Sequence, residues 1–321
     1  MCPLLPTARC DDRVAMSVLR QMILAAADNA AVQRFVGRYG MQIGAKRFVA
    51  GETADEFLAA TRDANTRGFA VAGGILGEAV SAREETDEAA SQYCDLLHAF
   101  AAQNLDANVA FKLTHVGLDI DPELALSNAA RIAEAARNNG NTVRIDMEQS
   151  SRVDATLSLY RKLRERFDNV GCVLQSYLYR SCADLEAILP LQPNVRLVKG
   201  AYLEPESVAY PTKTDVDRNY LRLAEMALSN DGYTAIATHD PAIVAWMESF
   251  VARKGLPMRG RFEFQMLYGV CGALAARLVE RGYRVRLAIP FGAYWFPYLM
   301  RRLAERPANL AFFLKGAFSR G

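Results

Sequence analysis

The spacing of apolar residues changes near Gly68 from a purely helical pattern to an alternation of strand-like and helix-like stretches. Before this point, apolar residues recur at helical spacing through residues 14–27 and 32–43. We predict an N-terminal helical segment over residues 1–67. Residues 68–321 are expected to form the larger folded unit.

Eight short apolar runs beyond residue 68 alternate with longer amphipathic stretches. This alternation is typical of a parallel sheet covered by helices. Eight such units predict the α/β class and a distorted TIM-like (β/α)8 barrel, which acts as one functional unit with its helical lead-in. The predicted strands are near Ala70–Leu76, Val109–Leu113, Thr142–Ile145, Gly171–Leu174, Val195–Val198, Thr234–Ala237, Phe262–Phe264 and Arg284–Ile289.

Polar residues follow each of the first seven runs, near the predicted carboxyl ends of the strands. Active sites of such barrels are built at these ends, so seven polar positions favour one shared site. Taken singly, Asp146 could cap a helix, Gln175 could satisfy backbone groups and Glu148 could simply be exposed. The strand-end residues are Glu78, Lys112, Asp146, Gln175, Lys199, Thr238 with His239, and Gln265.

The predicted last helix contains two adjacent arginines in the stretch YLMRRLAER. On a helix, Tyr298, Arg301, Arg302 and Glu305 fall within one narrow face. The preceding aromatic run FGAYWFPY would partly desolvate that face, which makes an unpaired arginine costly and a bound carboxylate strongly held. We predict a carboxylate-binding site. The alternative is a solvated basic helix with an Arg301–Glu305 pair worth only about 0.2–0.5 kcal/mol.

Charge is balanced over the whole chain but uneven along it. There are 38 Lys and Arg against 36 Asp and Glu, and the net charge of +2 gives no general argument for nucleic-acid binding. Residues 251–321 contain 13 basic and 3 acidic residues, a balance of +10, which leaves −8 for the rest. A basic C-terminal quarter suits a phosphate, an anionic substrate or an anionic membrane surface.

The six cysteines show no CxxC spacing, and the three histidines complete no zinc-ligand cluster. We therefore expect no metal, and reduced thiols of the cytoplasmic kind. The N-terminus lacks a signal pattern, and the uncharged stretch 287–300 is too short and proline-broken to span a bilayer. The protein is expected to be cytoplasmic, with peripheral contact to the inner face of the membrane as an option.

Two further segments contain groups that bind anions. RLVKGAY places Arg196 within a predicted strand and Lys199 at its end, and the following Gly200 lets a ligand approach the backbone. In THD, the Thr238 hydroxyl, the His239 imidazole and the next helix N-terminus could converge on a phosphate, or His239 could be a core or capping histidine. Neither GxGxxG nor a P-loop is present, so barrel loops would have to hold any nucleotide.

Eight segments in the chain resemble, in family order, those of proline dehydrogenase, the FAD-dependent enzyme that oxidises L-proline to Δ1-pyrroline-5-carboxylate. The matching segments are LGE ending at Glu78, KLTHVGLD from Lys112, VRIDME from Val143, VLQSYLYR from Val173, RLVKGAY from Arg196, ATHD from Ala237, FEFQMLYG from Phe262 and YLMRRLAER from Tyr298. The chain length is similar to that of the short monofunctional bacterial enzymes.

The resemblance implies a substrate site for L-proline. Arg301 and Arg302 would hold the proline carboxylate, Lys112 would add a third positive charge, and Asp146 would orient this cluster. Glu78 would pair with Arg301 when the site closes. The residues assigned to this site are Lys112, Asp146, Tyr202, Tyr298, Arg301, Arg302, Glu78, Ala288 and Leu197.

The expected contacts with the substrate ring include one departure from the family pattern. Tyr202 and Tyr298 would pack on the ring. The family usually has a tyrosine two residues before the proline of the final strand, whereas this chain has Ala288. We therefore expect a wider pocket, open to a bulkier ring such as 4-hydroxyproline, unless Phe291 or Tyr294 fills the space.

The resemblance also implies an FAD site and an electron acceptor. Arg196 is expected beside the reactive nitrogen of the isoalloxazine and Gln175 on its polar edge. The other cofactor residues are Lys199, Gly200, Ala201, Thr238 and His239 along the flavin's tail, and Gln265. Electrons would pass to a ubiquinone-type acceptor, and the C-terminal tail from Leu310 could touch lipid or pack as a terminal helix.

Two other interpretations use the same residues. A barrel lyase or aldolase could employ Lys112 or Lys199 as a Schiff-base nucleophile. A non-enzymatic module could bind an anionic surface or partner through its basic C-terminal quarter. The lyase or aldolase interpretation leaves the Arg196 segment and the THD turn unexplained. The non-enzymatic interpretation predicts that no cofactor is bound. We therefore prefer the flavoenzyme interpretation.

Overall fold

Eight parallel strands close into a barrel in a computed structural model that describes residues 29–77 and 80–305. Neighbouring strands are consecutive in the chain, and β1 pairs with β8 to close the sheet. The predicted (β/α)8 barrel is therefore confirmed. The strands are β1 (Ala70–Ile75), β2 (Ala107–Lys112), β3 (Val143–Asp146), β4 (Val170–Gln175), β5 (Asn194–Val198), β6 (Tyr233–Ala237), β7 (Phe262–Leu267) and β8 (Val285–Phe291).

Helices precede the barrel and connect its strands. Several begin at side-chain caps, each worth about 1 kcal/mol: Thr53 caps α2 in a capping box with Glu56, and Asp121 caps α4. The helical pattern of residues 32–43 corresponds to α1, whereas residues 14–27 lie outside the described part. The helices are α1 (Ala30–Ile43), α2 (Ala54–Thr66), α3 (Arg83–Ala102), α4 (Pro122–Asn138), α5 (Val153–Arg164), α6 (Ser181–Ile188), α7 (Lys213–Leu228), α8 (Pro241–Lys254), α9 (Gly272–Glu280) and α10 (Trp295–Glu305).

The outer face of the barrel forms the main hydrophobic core together with the surrounding helices. Side chains alternate between the two faces of a strand, and Phe111 shows which set faces outward because its ring lies 5.6 Å from that of Tyr93 on α3. Leu197 is fully buried on this outer face, in register with Leu174 and Ile236. The apolar core therefore lies between sheet and helices.

The inner face of the barrel is mostly polar or small instead, although Val173 and Val198 also face inward. Arg196 identifies the inward set, because it contacts Asp146 and Gln265 on other strands. Following the strand register from these residues assigns several small side chains to the interior, which leaves space there. These small interior residues are Ala72, Gly74, Ala110, Ala237 and Ala288.

Helix α10 is held near the carboxyl ends of the strands by a second hydrophobic cluster. Leu299 belongs to this cluster, and Leu76 and Leu267, which lie at the ends of β1 and β7, pack against it. The Trp295 indole donates a hydrogen bond to a carboxylate oxygen of Glu52 at 2.7 Å. A Cβ at Gly40 would lie 2.6 Å from the indole ring, so a glycine in α1 makes room for Trp295.

The described ranges contain no helix with the length and apolar character needed to cross a bilayer. Within the same ranges, no group of three or more His, Cys, Asp or Glu side chains is placed to hold a metal ion. Four cysteines are present there as free thiols: Cys94, Cys172, Cys182 and Cys271.

Candidate functional site

Charged side chains from three strands and an amide side chain from a fourth meet inside the barrel. Asp146 ends β3, and its carboxylate forms an ion pair with the guanidinium of Arg196 on β5. Arg196 Nη1 also lies 3.5 Å from Gln265 Oε1 on β7. Lys112 ends β2 as the register partner of Asp146. The structure thus brings these four predicted site residues together.

Glu148 adds a buried carboxyl group that the sequence did not reveal. Only 5% of it is exposed, so its interpretation as a surface residue is wrong. Its carboxylate accepts hydrogen bonds from the Thr114 hydroxyl at 2.7 Å and the Thr114 amide at 3.2 Å. Burial raises the pKa of Glu148, against the opposing effect of Thr114 and then Lys112. The side-chain amide of Gln175 donates to the Glu148 carbonyl at 2.8 Å, which fixes the chain after β3.

His115 lies buried in the turn after β2. Its Nδ1 is 3.2 Å from the Tyr93 hydroxyl, and a Cβ at Gly77 would lie only 2.5 Å from its Nε2. Burial, and then the charge of Lys112, lowers the pKa of His115 to about 4. The imidazole is therefore neutral at physiological pH. The sequence places His115 in the segment KLTHVGLD, directly after the Lys112 strand end, but assigns it no role.

Lys199 is engaged by carboxylates from two helices. Its ammonium lies 2.5 Å from Asp217 on α7 and 2.9 Å from Asp240 at the start of α8. Lys213 pairs with the same two carboxylates. Burial alone would raise the pKa of Asp240, but hydrogen bonds from Lys199 and Lys213 hold it well below its ordinary value. This use of Lys199 argues against a Schiff-base nucleophile at this position.

The THD segment ties β6 to its neighbours. The buried Thr238 hydroxyl accepts a hydrogen bond from the Asp240 amide at 3.1 Å. His239 Nε2 accepts one from the backbone amide of Leu267 on β7 at 2.9 Å. Asp240 caps α8 by accepting from the Ala242 amide at 3.1 Å. The groups predicted to converge on a phosphate therefore also have structural partners within the protein.

The segment after β5 begins with a glycine that the backbone requires. Gly200 has φ +122°, a value that strains any L side chain, and a Cβ there would lie 2.4 Å from the Tyr177 ring. Ala201 is exposed, and Tyr202 is partly buried. Close packing of Tyr177 accounts for Gly200 without a ligand.

The α10 arginines are at least partly buried. Arg302 is only 8% exposed, and its guanidinium carbon lies 5.1 Å from the Tyr298 ring centroid. Arg301 and Tyr298 are partly buried. This burial argues against a fully solvated basic helix. Glu78, the predicted partner of Arg301, lies outside the described residues.

The structure separates Leu197 from the other predicted site residues and leaves room beside Ala288. Leu197 packs outward, and its carbonyl accepts a hydrogen bond from the Tyr220 hydroxyl of α7 at 2.9 Å. Ala288 faces the interior and is partly exposed. Phe291 stacks on Phe57 of α2 at 4.6 Å, and Tyr294 is 70% exposed. Neither aromatic therefore takes the place of a side chain at residue 288.

The parallel barrel encloses cations and a carboxylate, and α10 adds a buried arginine. This arrangement defines a (β/α)8 enzyme site suited to a small carboxylated ligand. The sequence profile of the proline dehydrogenase family matches residues 57–315, and the chain belongs to this family.

Curated bacterial relatives match almost the whole chain. Proline dehydrogenase 1 of Bacillus subtilis (strain 168) is 40% identical over 299 residues, which cover 93% of this chain and 99% of that protein. Proline dehydrogenase of Deinococcus radiodurans is 41% identical over 302 residues, which cover 92% of this chain and 97% of that protein. The crystal structure of proline utilization A from Bdellovibrio bacteriovorus is similar with a TM-score of 0.80 and 25% identity; the match covers 92% of this chain but only 37% of that longer one.

Proposed function

We propose that this protein oxidises L-proline to Δ1-pyrroline-5-carboxylate by hydride transfer to bound FAD, as the first step of proline catabolism. The observation that carries the proposal is the Arg196–Asp146 ion pair beside Lys112, inside the barrel of a proline dehydrogenase family member. This ion pair and Lys112 supply fixed charges inside the barrel, which can orient a zwitterionic amino acid.

The substrate carboxylate is assigned to cationic side chains. Arg301 and Arg302 on α10 would hold it, with Lys112 as a third cation and Asp146 keeping the cluster in place. Guanidinium groups suit this task because they form charge-assisted hydrogen bonds with carboxylates in a fixed planar geometry. Tyr298, next to Arg302, and Tyr202 would pack against the ring.

The substrate nitrogen has to lose a proton before the adjacent carbon releases a hydride. A secondary ammonium has a pKa of about 10, similar to that of lysine. Cations near the substrate disfavour its protonated nitrogen and so promote loss of this proton. We assign no side chain as an obligatory base. The protein contributes orientation and electrostatics.

The interior fits a flat cofactor. A Cβ at the inward-facing Gly74 would make one ordinary contact, with the Ala110 carbonyl oxygen at 3.9 Å, so this position is not crowded by protein atoms. The buried Arg196 Nε has no hydrogen-bond partner among the described residues, so one donor of this guanidinium is left unsatisfied without a ligand. When bound, FAD would supply the hydride acceptor. The residues proposed to hold it are Arg196, Gln175, Gln265, Lys199, Gly200, Ala201, Thr238 and His239.

The first experiment is the visible spectrum of the purified protein before and after anaerobic addition of L-proline. Flavin bands that bleach with L-proline would support the proposal. A colourless protein that FAD cannot reconstitute would contradict it. Borohydride trapping of a substrate adduct would then test Lys112 and Lys199 as Schiff-base lysines.

A ring-substituted proline such as 4-hydroxyproline is the second candidate substrate. The interior position of Ala288, with Phe291 packed outward and Tyr294 exposed, favours it. Comparing kcat/KM for L-proline and trans-4-hydroxy-L-proline decides between the two. A large preference for L-proline would dismiss the second candidate.

We also propose a ubiquinone-type electron acceptor and peripheral contact with the inner face of the membrane. The basic C-terminal quarter supports this because anionic lipids attract such segments. The tail from Leu310 to Gly321 lies outside the described residues. Deleting it should abolish binding to anionic vesicles while turnover with a soluble acceptor persists; undiminished vesicle binding would contradict a role for the tail.

A further inference from the structure

The amino-terminal end of the barrel contains a polar cavity of about 530 Å³, at the opposite end from the candidate active site. Its wall includes residues at the starts of several strands, such as Asn108 on β2, Asn194 on β5 and Glu263 on β7. Arg144 on β3 and Arg286 on β8 line it as well. Neither the carboxylate clamp nor the cofactor assignment uses this cavity.

Arg144 is a buried cation with few partners. Only 2% of the residue is exposed, and its Nη2 donates to the neutral side-chain oxygen of Asn194 at 2.5 Å. Its Nε and Nη1 have no hydrogen-bond partner in the described part of the chain. Burial, and then the charge of Arg196, lowers the pKa of Arg144 to about 10, so the side chain is still charged at neutral pH. A buried charge of this kind is costly unless an anion balances it.

The carboxylate nearest to this end of the interior is already shared. Glu263 is only 1% exposed and accepts hydrogen bonds from Arg286 at 2.8 Å, Arg284 at 3.2 Å and Gln265 at 2.6 Å. Burial opposes its ionisation, but Arg286 holds the pKa of Glu263 at about 2, so it stays a carboxylate. This carboxylate therefore forms hydrogen bonds with two other arginines, and it favours the charge of Arg144 only through electrostatic attraction without a hydrogen bond.

The other acidic residues of the wall do not neutralise Arg144 either. Asp106 pairs with Arg284 at 2.6 Å. Asp168 and Asp231 are exposed to solvent. The buried part of the cavity therefore keeps an excess of guanidinium charge.

We propose that this cavity binds a small oxyanion, either phosphate or a short carboxylate, and that Arg144 is the main residue that contacts it. Guanidinium groups form their strongest hydrogen bonds with oxyanions. The volume is ample, because one water occupies about 30 Å³ in the liquid. A ligand at the amino-terminal end of the barrel stabilises the fold rather than taking part in the chemistry.

Thermal unfolding of the purified full chain, with its cofactor bound, tests the site. Inorganic phosphate is added in increasing concentration, and a bulky sulfonate salt keeps the ionic strength constant. A parallel titration uses acetate in place of phosphate. We expect a saturable rise in Tm of about 2–5 °C at tenfold above Kd. A response to acetate but not to phosphate would identify a carboxylate ligand, and the reverse a phosphate. A Tm unaffected by both anions would overturn the proposal.

Variants at Arg144 and Asn194 test whether the anion-dependent rise in Tm arises in this cavity. Arg144→Met should abolish it, whereas Arg218→Met, which removes an exposed arginine on α7, should leave it intact. Asn194→Asp places a carboxylate next to Arg144, so it should raise Tm in phosphate-free buffer and remove the anion response even if Arg144→Met fails to fold. A full phosphate or acetate response in Asn194→Asp or Arg144→Met would place the anion elsewhere and refute the site.

Discussion

Arg196 and Asp146 form an ion pair across the barrel interior, from β5 to β3 with β4 between them. Both side chains project from strands rather than loops, so the sheet itself holds the pair in position. Their side chains are 12% and 29% exposed, and such partly shielded charges interact more strongly than charges in bulk water. The sheet therefore fixes the position of this ion pair within the proposed active site.

Breaking this pair should impair both catalysis and cofactor retention. Arg196→Met is expected to lower kcat by roughly 100-fold, as for loss of a preorganised donor, and to reduce the flavin-to-protein ratio. Asp146→Asn should lower kcat with less effect on flavin content. Because the two residues contact each other, the double variant should lose less than the sum of the single losses in free energy. Strict additivity would show that the ion pair is not the functional unit.

Removing the second guanidinium of α10 should weaken substrate binding specifically. Arg302→Met is expected to raise KM for L-proline roughly 10- to 100-fold, the value of one hydrogen bond to a charged group, with the flavin content unchanged. Arg281→Met, which removes an exposed arginine, is the matched control. An unchanged KM in the Arg302 variant would remove it from the carboxylate site.

The buried imidazole of His115 predicts a pH dependence of stability. In the unfolded chain this group binds a proton below about pH 6.5, whereas in the folded protein it stays neutral to about pH 4. The unfolded state therefore gains protons first, and stability falls as pH decreases from 6.5 to 4, by about 2 kcal/mol between pH 7 and pH 5. Urea unfolding of wild type and His115→Asn at both pH values isolates this contribution. If both proteins lose the same free energy of unfolding between pH 7 and pH 5, His115 does not cause the pH dependence.

Alanine variants at two glycines distinguish the cost of backbone strain from the cost of steric overlap. Gly200 and Gly255 both have positive φ, but a Cβ would clash with the Tyr177 ring at Gly200 and meet nothing within 4 Å at Gly255. Gly255→Ala should cost about 1 kcal/mol in the free energy of unfolding. Gly200→Ala should cost clearly more and release flavin, because it displaces the chain after Lys199. Similar losses of unfolding free energy in the two variants would show that the Tyr177 ring moves aside at little cost.

Filling the space at residue 288 should change substrate preference. Ala288→Tyr is expected to raise the ratio of kcat/KM for L-proline over trans-4-hydroxy-L-proline by roughly tenfold, because it narrows the interior where a ring substituent would lie. Ala288→Ser is the control, since it adds little volume. If the ratio does not change in the tyrosine variant, residue 288 does not contact the ring.

The barrel could be predicted from the sequence because its strands and helices differ in period and in composition. Polar residues follow each of the first seven predicted strands, and this signal identifies Lys112, Asp146 and Gln265. Arg196 is visible in the sequence as a charge inside a predicted strand, and its place beside the flavin is what the resemblance implies. The same signal exists at Arg144 and Arg286, but it indicates an inward-facing residue without telling at which end of the barrel that residue lies.

Other features depend on packing that local sequence does not encode. The burial of Glu148 requires Thr114 from another loop. Leu197 is among the site residues that the resemblance implies, although the two-residue period of a strand places it on the opposite face from Arg196. Lys199 was predicted to serve a ligand, but the distant residues Asp217 and Asp240 converge on it only in the folded chain.

The location of the apolar core outside the sheet has an evolutionary consequence. Residues such as Leu197 and Phe111 hold the helices on the barrel, while the interior positions contribute little to that cohesion. Small interior side chains near the active site, such as Ala288, can therefore be exchanged with little effect on the packing of the helices. In this architecture, selection for a new substrate and selection for a durable fold act on alternate residues of the same strands.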